Sequence, residues 1–381
     1  MNNHNNNIPV LSFYSGGGFM DMGFEQAGFK TVWSNEFDKS FAELHAAGIT
    51  SWRKSLGNNA KAEIFNTSSI AEVSSCDIIR EAFPDGLPTH FGMIGGPPCQ
   101  DFTINGKMKG FNGDRGKLTI IYLEKVMELK PSFFVMENVT GLIKNEESRV
   151  FLQKLLKKVG RKYLIDYQML NALDFGVPQS RERVFFIGVR KDRLEKKLVK
   201  RNLRRKWFPF PVNRAYLGAE CLYTWPITSE LGTRPEAPAD IPLELCVQSC
   251  LVEEELISTL SNSNEFFNMR VDVEKLRAIK EGETTRPSFK RLHRYRYSPT
   301  ACYGNNEVHL HPFLHRRISV REALRIQGVP DAYILPTGTS LSKKFKMIGN
   351  GVPVPLAKAV AESIRDFLND NLKLDINHCE N

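Results

Sequence analysis

The stretch Val10-Leu-Ser-Phe-Tyr-Ser-Gly-Gly-Gly18 decides the fold class of this 381-residue chain. Its apolar part predicts a short buried strand, and its glycines predict a tight turn into a helix over residues 19–27. Similar apolar runs at residues 31–33, 91–94 and 132–136 are each followed by polar or helical segments. Because short hydrophobic strands that alternate with helices form parallel sheets covered on both faces, the sequence predicts a mainly parallel α/β fold.

Composition excludes several classes of protein. The chain carries 52 Lys and Arg against 43 Asp and Glu, a formal net charge of +9, and 41% of its residues are hydrophobic. No apolar run approaches the roughly 18 residues that a membrane span needs, and the first residues lack the pattern of a signal peptide. Seven cysteines are too few for a disulfide scaffold and are typical of a reducing compartment. We therefore expect a cytoplasmic globular protein.

Positive charge is concentrated in two segments of the second half. Residues 191–206 contain nine basic and two acidic residues, and residues 286–297 contain five basic residues interleaved with three aromatic ones. Basic clusters with aromatic side chains suit a nucleic acid, although a charge run can also be a solvated helix face. Residues from about 195 to 315 show no strand–helix alternation, so we expect a smaller, irregular domain there.

The glycine turn resembles a dinucleotide-binding turn in part. Gly16 and Gly18 supply the first two glycines, but the third position is Asp21. A carboxylate in the first helical turn would repel a pyrophosphate, whereas a nucleoside without phosphates would tolerate it. Glu36 ends the second predicted strand, where an acid commonly holds ribose hydroxyls, and Phe37 is placed to contact an adenine ring. These features favour S-adenosylmethionine over NAD; the alternative is a plain tight turn.

A second group of residues suggests covalent chemistry at the same edge of the sheet. The segment Gly95-Gly-Pro-Pro-Cys-Gln100 follows a predicted strand, and its two prolines hold the cysteine thiol in one place. Glu137 ends another predicted strand, so its carboxylate is expected beside the thiol, with a helix-cap role as the alternative. Alternation places Gln179, Arg181 and Arg183 on one face, either aimed at that site or in a salt-bridged strand edge.

These motifs, in this order, resemble those of the DNA (cytosine-5) methyltransferase family of restriction–modification type. The matching segments are Phe13–Gly18, Asn35–Asp38, Pro97–Gln100, Glu137–Val139, Gln179–Arg183, Arg317–Gln327 and Gly349–Pro353. Phe19 departs from the family pattern, which usually has a further glycine there. The resemblance implies a Rossmann-like domain that binds S-adenosylmethionine over residues 1–190. It also implies a small target-recognition domain over 191–335 and a C-terminal segment, 336–381, that returns to the first domain.

The resemblance also implies a mechanism and its residues, with no metal required. Cys99 would attack C6 of a cytosine flipped out of duplex DNA, and Glu137 would hold N3 and the exocyclic amine. Arg183 would bind O2, and Arg181 would support the thiolate and Glu137. The predicted cofactor-binding residues are Tyr14, Ser15, Gly16, Gly18, Glu36, Phe37, Asp77, Ile78, Pro98, Leu118 and Asn350. The predicted DNA-binding residues are Gln100, Gln179, Arg291, Arg294, Arg296 and Arg317.

Two other functions remain open from the sequence. One is a tRNA cytosine-5 methyltransferase of the same fold, because Thr103 stands where many DNA enzymes carry serine. The other is a non-catalytic nucleic-acid-binding or zinc-binding module. The spacing of the candidate ligands matches no common zinc pattern; they are Cys246, Cys250, His293, Cys302, His309 and His311. We expect His309 and His311 on a strand that faces solvent or DNA. We expect a monomer that acts on double-stranded DNA, with a companion restriction endonuclease for the same site.

Overall fold

A six-stranded sheet forms the core of the computed structural model, which describes residues 7–62, 64–98, 116–202, 206–213, 215–269, 273–303 and 308–372. The strands are β1 (Pro9–Phe13), β2 (Lys30–Asn35), β3 (Gly92–Gly95), β4 (Phe133–Val139), β5 (Tyr163–Asn171) and β6 (Glu182–Arg190). Their order is β2-β1-β3-β4-β6-β5. β1 to β4 pair in parallel, and β6 runs antiparallel to both of its neighbours. The predicted mainly parallel α/β sheet is confirmed.

Helices cover both faces of this sheet. In the first half they are α1 (Phe19–Gln26), α2 (Lys39–Ser55), α3 (Ser75–Ala82), α4 (Gly116–Leu129), α5 (Gly141–Lys144) and α6 (Glu146–Val159). Because successive strand residues point to opposite faces, Phe134 packs in one layer with Tyr122 of α4, whereas Val135 packs in the other with Phe24 of α1. The strands are therefore buried on both sides, which explains their almost continuous apolar sequences.

The second half of the chain is mostly irregular, as expected from its sequence. Its described helices and strands are α7 (Lys196–Asn202), α8 (Ala219–Leu222), α9 (Val273–Arg277), β7 (Lys290–Arg291), β8 (His309–Leu310), α10 (Val320–Ile326), α11 (Leu341–Asn350) and α12 (Val354–Asn371). One hydrophobic cluster joins Phe19 and Trp52 of the first half to Leu292 and Ile318 of the second. Because the packing is continuous there, a separate target-recognition domain stays a prediction.

The chain continues to pack on the sheet beyond residue 190, where a domain boundary was predicted. Leu194 and Phe208 belong to the same hydrophobic cluster as residues of β1 and β6, and Leu194 forms a β-bridge with Leu372. Trp207 packs on Phe367 of α12, with 5.2 Å between the ring centroids. The described part of the basic segment 191–206 therefore lies on the sheet-containing half, because apolar residues at both of its ends anchor it to the sheet and α12.

The C-terminal helix α12 covers one face of the sheet together with α1. A Cβ on Gly23 of α1 would come within 2.6 Å of the Cβ of Ala357, so the two helices approach as closely as a glycine permits. Within the described ranges, no helix is long and apolar enough to cross a membrane.

Candidate active site

The loop after β3 is fixed against the end of β4. Asn138 donates a hydrogen bond from Nδ2 to the Pro97 carbonyl, at 3.3 Å. A Cβ at Gly96 would lie 3.0 Å from Oε2 of Glu137, so a glycine lets the loop pass close to this carboxylate. The proline-rich loop is therefore held beside the Glu137 side chain, as the positions of the strand ends predicted.

Glu137 is almost fully buried and pairs with Arg183. The Nε atom of Arg183 lies 3.1 Å from Oε1 of Glu137, because the two residues are diagonal neighbours on the paired strands β4 and β6. Burial raises the pKa of Glu137, although the charges of Arg183 and Arg181 partly oppose this shift. Cys99 and Gln100 lie outside the described residues, so their roles stay predictions.

Arg181 is buried and binds backbone carbonyls, and its predicted support of the Cys99 thiolate and Glu137 stays a prediction. Its guanidinium is 1% exposed and donates to the carbonyls of Ala301 (3.0 Å) and Gly349 (2.8 Å). Burial lowers the pKa of Arg181 to about 9. No hydrogen bond to Glu137 is present between these described residues, so Arg181 acts on that carboxyl only through its charge. Its main contacts join three distant segments of the chain.

The prediction that Gln179 contacts DNA is wrong for this structure. Its amide is fully buried, with Oε1 accepting from the Ala301 amide (2.9 Å) and Nε2 donating to the Ile326 carbonyl (3.2 Å) and to Oε1 of Gln327 (3.3 Å). Of the three residues predicted to share one face, only Arg183 contacts the Glu137 side chain. Gln179 and Arg181 instead form hydrogen bonds with buried segments of the second half of the chain.

An open cradle lies at the carboxyl ends of β1 and β2. The Glu36 carboxylate accepts from the amides of Gly16 (2.9 Å) and Asp38 (2.8 Å), which links the two strand ends. Gly16 and Gly18 have φ values of +54° and +75°, a region that favours glycine. A Cβ at Gly16 would meet no atom within 4 Å, whereas one at Gly18 would lie 2.7 Å from His45. The turn therefore has open space above Gly16 and close packing below Gly18.

Other predicted cofactor residues lie around this cradle. The Tyr14 hydroxyl donates to the Leu118 carbonyl at 3.1 Å. Phe37, directly after Glu36, is 69% exposed, so its ring is accessible for stacking on a planar ligand. Pro98 and Asn350 are also exposed. These positions fit the predicted pocket, and their roles as ligand contacts remain predictions.

The structure contradicts the predicted cofactor roles of Asp77 and Ile78. Asp77 lies in the first turn of α3, where its exposed carboxylate accepts from Ser74 Oγ (2.6 Å) and from Arg80 (2.6 Å). Ile78 is fully buried and packs in the same cluster as Phe13. In this structure the Asp77 carboxylate is engaged at the start of α3, and the Ile78 side chain is part of the core.

A polar loop that the sequence did not single out borders the cradle instead. Asn35 donates from Nδ2 to the carbonyls of Asn66 (2.9 Å) and Ser68 (3.1 Å), and the Glu36 amide donates to the Asn66 carbonyl (3.2 Å). The Ser15 amide donates to the Asn35 carbonyl (3.0 Å). This loop, Asn66–Ile70, contains no charged residue that would have suggested a binding role. The only clue in the sequence was Asn35, whose buried side-chain amide needs hydrogen-bond acceptors.

Asp21 lies beneath the glycine turn and points into the interior. Its Oδ1 accepts from Ser12 Oγ (2.5 Å), and its Oδ2 is 3.7 Å from Nε2 of His45. Burial raises the pKa of Asp21 to about 7 and lowers that of His45 to about 4. The Tyr333 hydroxyl donates to the Gly17 carbonyl at 2.7 Å from the same region. Because the Asp21 carboxyl is buried beneath the turn, it would not repel a phosphate bound above the glycines, contrary to the expectation from the sequence.

Two predicted DNA-binding arginines are buried, which corrects the sequence-based interpretation. Arg291 is 1% exposed and donates to four backbone carbonyls at 2.8–3.1 Å, those of Leu276, Ile279, His311 and Leu314. Arg294 binds the fully buried Glu281 through two contacts of 2.8 and 2.7 Å and lies 4.3 Å from the centroid of Phe313. A buried charge must be paired or hydrogen-bonded, and these two arginines meet that need inside the protein.

Arg296 and Arg317 remain candidates for DNA contact. Arg296 is half-buried beside Tyr297 and borders a cavity of about 280 Å³ that is also lined by Ser180 and Thr300. This cavity lies next to the segment that carries Arg181 and Arg183, because Thr300 Oγ1 donates to the Ser180 carbonyl (2.8 Å). Arg317 is half-buried, 4.4 Å from the ring centroid of Phe267.

The expectation that His309 and His311 face solvent or DNA is also wrong. Both are 1% exposed, and burial lowers the pKa of each to about 3, so they are neutral at ordinary pH. Where the structure describes the chain, no three His, Cys, Asp or Glu side chains come close enough to hold a metal ion.

Comparisons with known proteins match nearly the whole chain. The family model described as C-5 cytosine-specific DNA methylase matches residues 8–366. The chain is 36% identical to the Type II methyltransferase M.NmeDI of Neisseria meningitidis serogroup C, over 95% of this chain and 84% of that protein. It is 32% identical to the Type II methyltransferase M.FnuDI of Fusobacterium nucleatum, over 96% and 97%. The solved structure of a proposed DNA modification methyltransferase encoded within an E. coli prophage has a TM-score of 0.65 and 26% identity, over 95% and 99%.

The buried Asp21 carboxyl makes stability depend on pH. Because its pKa is raised from 3.8 to about 7, the folded state keeps a proton that the unfolded state loses, and stability falls as the pH rises through this range. Asp21→Asn keeps an acceptor for Ser12 without the titration. The free energy of unfolding is measured in urea at pH 5 and at pH 7.5. We expect the decrease between these two pH values to be about 3 kcal/mol larger in the native protein than in the variant. The exposed Asp85→Asn is the control, and equal slopes for native protein and Asp21→Asn would contradict the assignment.

The buried Arg291 should stabilise the fold without contacting DNA. Arg291→Met leaves several buried carbonyls without a donor, so we expect the free energy of unfolding to fall by about 3 kcal/mol. The dependence of DNA affinity on salt should not change, provided that it is measured where the variant is folded. Arg296→Gln is the comparison and should lower the slope of log affinity against log salt by about one. A lower slope for Arg291→Met would restore its predicted phosphate contact.

Proposed function

Because the chain belongs to the C-5 cytosine-specific DNA methylase family, we propose that Cys99 and Glu137 are the residues with which it methylates C5 of cytosine. The protein is a DNA cytosine-5 methyltransferase, and its relatives are named Type II methyltransferases. The donor that we propose is S-adenosylmethionine. One observation carries the assignment of residues: the buried pair of Glu137 and Arg183 faces the loop that leads into Cys99.

The proposed chemistry begins with addition of the Cys99 thiolate to C6 of the cytosine. A new S–C6 bond forms, and the electron pair of the C5–C6 double bond becomes available at C5. Glu137, whose pKa is raised by burial, donates a hydrogen bond or its proton to N3 and so stabilises the added electron density. Arg183 binds O2 and keeps the Glu137 carboxyl in place. When bound, S-adenosylmethionine would supply a methyl group from its positively charged sulfur and would leave as S-adenosylhomocysteine. A base then takes the C5 proton, the S–C6 bond breaks with release of the Cys99 thiolate, and the C5–C6 double bond is restored.

The cradle of Glu36 fits the nucleoside part of S-adenosylmethionine. Both oxygens of Glu36 are held by backbone amides, yet each carboxylate oxygen can accept a second hydrogen bond from a ribose hydroxyl. Phe37 offers an exposed ring for the adenine. The open space above Gly16 and the polar loop Asn66–Ile70 complete the edge. We therefore assign the donor to this edge, with Tyr14, Ser15, Gly18, Pro98, Leu118 and Asn350 as further contacts.

The substrate that we propose is one specific sequence of double-stranded DNA, read by a monomer. The target base must leave the helix to reach Cys99, which costs a few kcal/mol. Arg296, Arg317 and Gln100 are the proposed contacts to DNA, and residues beyond about 210 form the proposed recognition region. Since relatives carry the names of Type II methyltransferases, we also propose a companion restriction endonuclease for the same site. The protein then acts in the compartment that holds the DNA.

A duplex with 5-fluorocytosine at the target position tests the nucleophile. The fluorine cannot leave as a proton does, so the protein should remain covalently attached to the DNA when S-adenosylmethionine is present. We expect a denaturation-resistant complex with the native protein and none with Cys99→Ser, which should still bind the same duplex. The target is located first by bisulfite sequencing of DNA from cells that express the protein. Trapping by the serine variant, or attachment through another cysteine, would overturn the assignment.

Replacing the buried carboxyl tests the role of Glu137. Glu137→Gln retains the size and the contact with Arg183 but cannot deliver a proton to N3. We expect kcat to fall by about 10²–10⁴-fold, with little change in KM for the donor. The exposed Glu124→Gln on α4 is the control and should retain full activity. Unchanged kcat in Glu137→Gln would show that the carboxyl does not take part in the chemistry.

A further inference from the structure

Exposed basic side chains form a continuous surface at the edge of the sheet opposite the active site. We define this basal surface by the exposed Lys130, Lys157, Lys158, Arg161 and Lys162 together with the half-buried Lys191, whose ammonium donates to the Gly160 carbonyl. β4 begins just after Lys130 and ends beyond Glu137, and its length of about 20 Å separates the two edges. A duplex seated over Glu137 therefore does not cover the basal surface.

Backbone contacts show that these residues belong to one surface. The Lys191 amide donates to the Lys162 carbonyl at 2.9 Å, and the Arg161 amide donates to the Lys158 carbonyl at 3.3 Å. Arg190 donates from its guanidinium to the carbonyl of Lys130. The last turn of α6, the turn before β5, the end of β6 and the residue before β4 are thus held together.

The charges of this surface are poorly neutralised. Asp192 is engaged by Arg190 at 2.8 Å, and no ion pair to Lys130, Lys157, Lys158, Arg161 or Lys162 occurs within the described ranges. None of the residues that define this surface is apolar. A surface rich in lysine without an apolar centre is unlike a stable protein–protein interface. It does suit phosphates, because lysine contacts gain affinity from released counterions.

We propose that the basal surface binds a second segment of duplex DNA while the first segment occupies the active site. The partner is recognised through its phosphates alone, without regard to sequence. A long DNA molecule brings other segments of itself to a bound enzyme at high local concentration, so even weak contacts would be occupied. The basal surface would then let the enzyme pass from one segment to another without dissociating. This role also gives a function to the start of the basic segment 191–206, which packs on the sheet side of the molecule.

The test uses the full-length protein with its cognate duplex bound and a labelled second duplex made only of A·T pairs, which contains no cytosine. We expect the loaded protein to bind this second duplex with an affinity that falls steeply with salt. The triple variant Lys157→Gln, Lys158→Gln, Lys162→Gln should bind it at least 10-fold more weakly. Its slope of log affinity against log salt should be smaller by about three.

The matched control removes the same number of exposed lysines elsewhere, with Lys30→Gln, Lys54→Gln and Lys61→Gln. It should retain second-duplex binding. Methylation of a short cognate duplex, measured in the same samples, should be unchanged in both variants, which separates this inference from the proposed chemistry. The proposal is overturned if the loaded native protein binds no second duplex at low salt or if both triple variants lose binding equally. It is also overturned if a polyglutamate peptide of equal charge binds as tightly as the duplex, which would indicate an acidic protein partner.

Discussion

The parallel pairing of β3 with β4 is the constraint on which the active site depends. Gly95, the last residue of β3, lies opposite Met136 in this pair, so the loop leaves β3 beside Glu137, the next residue of β4. Asn138 then holds the Pro97 carbonyl, and Gly96 allows the loop to pass close to Glu137. The register of these two strands therefore holds the described part of the loop, Gly96 and Pro97, beside the Glu137 carboxyl.

The sequence predicted this edge well, because the end of a buried strand is a local property. An apolar run followed by a glycine or an acid indicates both the element and the place where its side chains emerge, which located Glu36 and Glu137 correctly. The loop at Asn66, which contacts Glu36, is about 30 residues away in the sequence and was not predicted. This loop makes its contacts through backbone carbonyls, which no residue type in the sequence indicates. Asp77 was predicted to contact the cofactor because it is an acid, but its carboxylate binds Ser74 at the start of a helix.

Arginine is the residue type for which sequence reasoning failed most often. Arg183 pairs with Glu137, Arg181 and Arg291 bind buried carbonyls, and Arg294 neutralises an interior carboxylate. Composition counts all of them toward the net charge, but only burial decides whether a guanidinium contacts a ligand or the protein itself. In this chain the irregular second half has few backbone ladders, and buried guanidinium groups satisfy the carbonyls that a sheet would otherwise satisfy.

The contacts of Arg181 also have a consequence for synthesis on the ribosome. Its guanidinium binds carbonyls that lie 120 and 168 residues later in the chain, at Ala301 and Gly349. A nascent chain that has already made β3, β4 and Glu137 still lacks the partners that hold this arginine. Arg181 therefore gains these partners only near the end of translation, and a prematurely terminated polypeptide would carry Glu137 and the loop after β3 without the segments that hold this arginine.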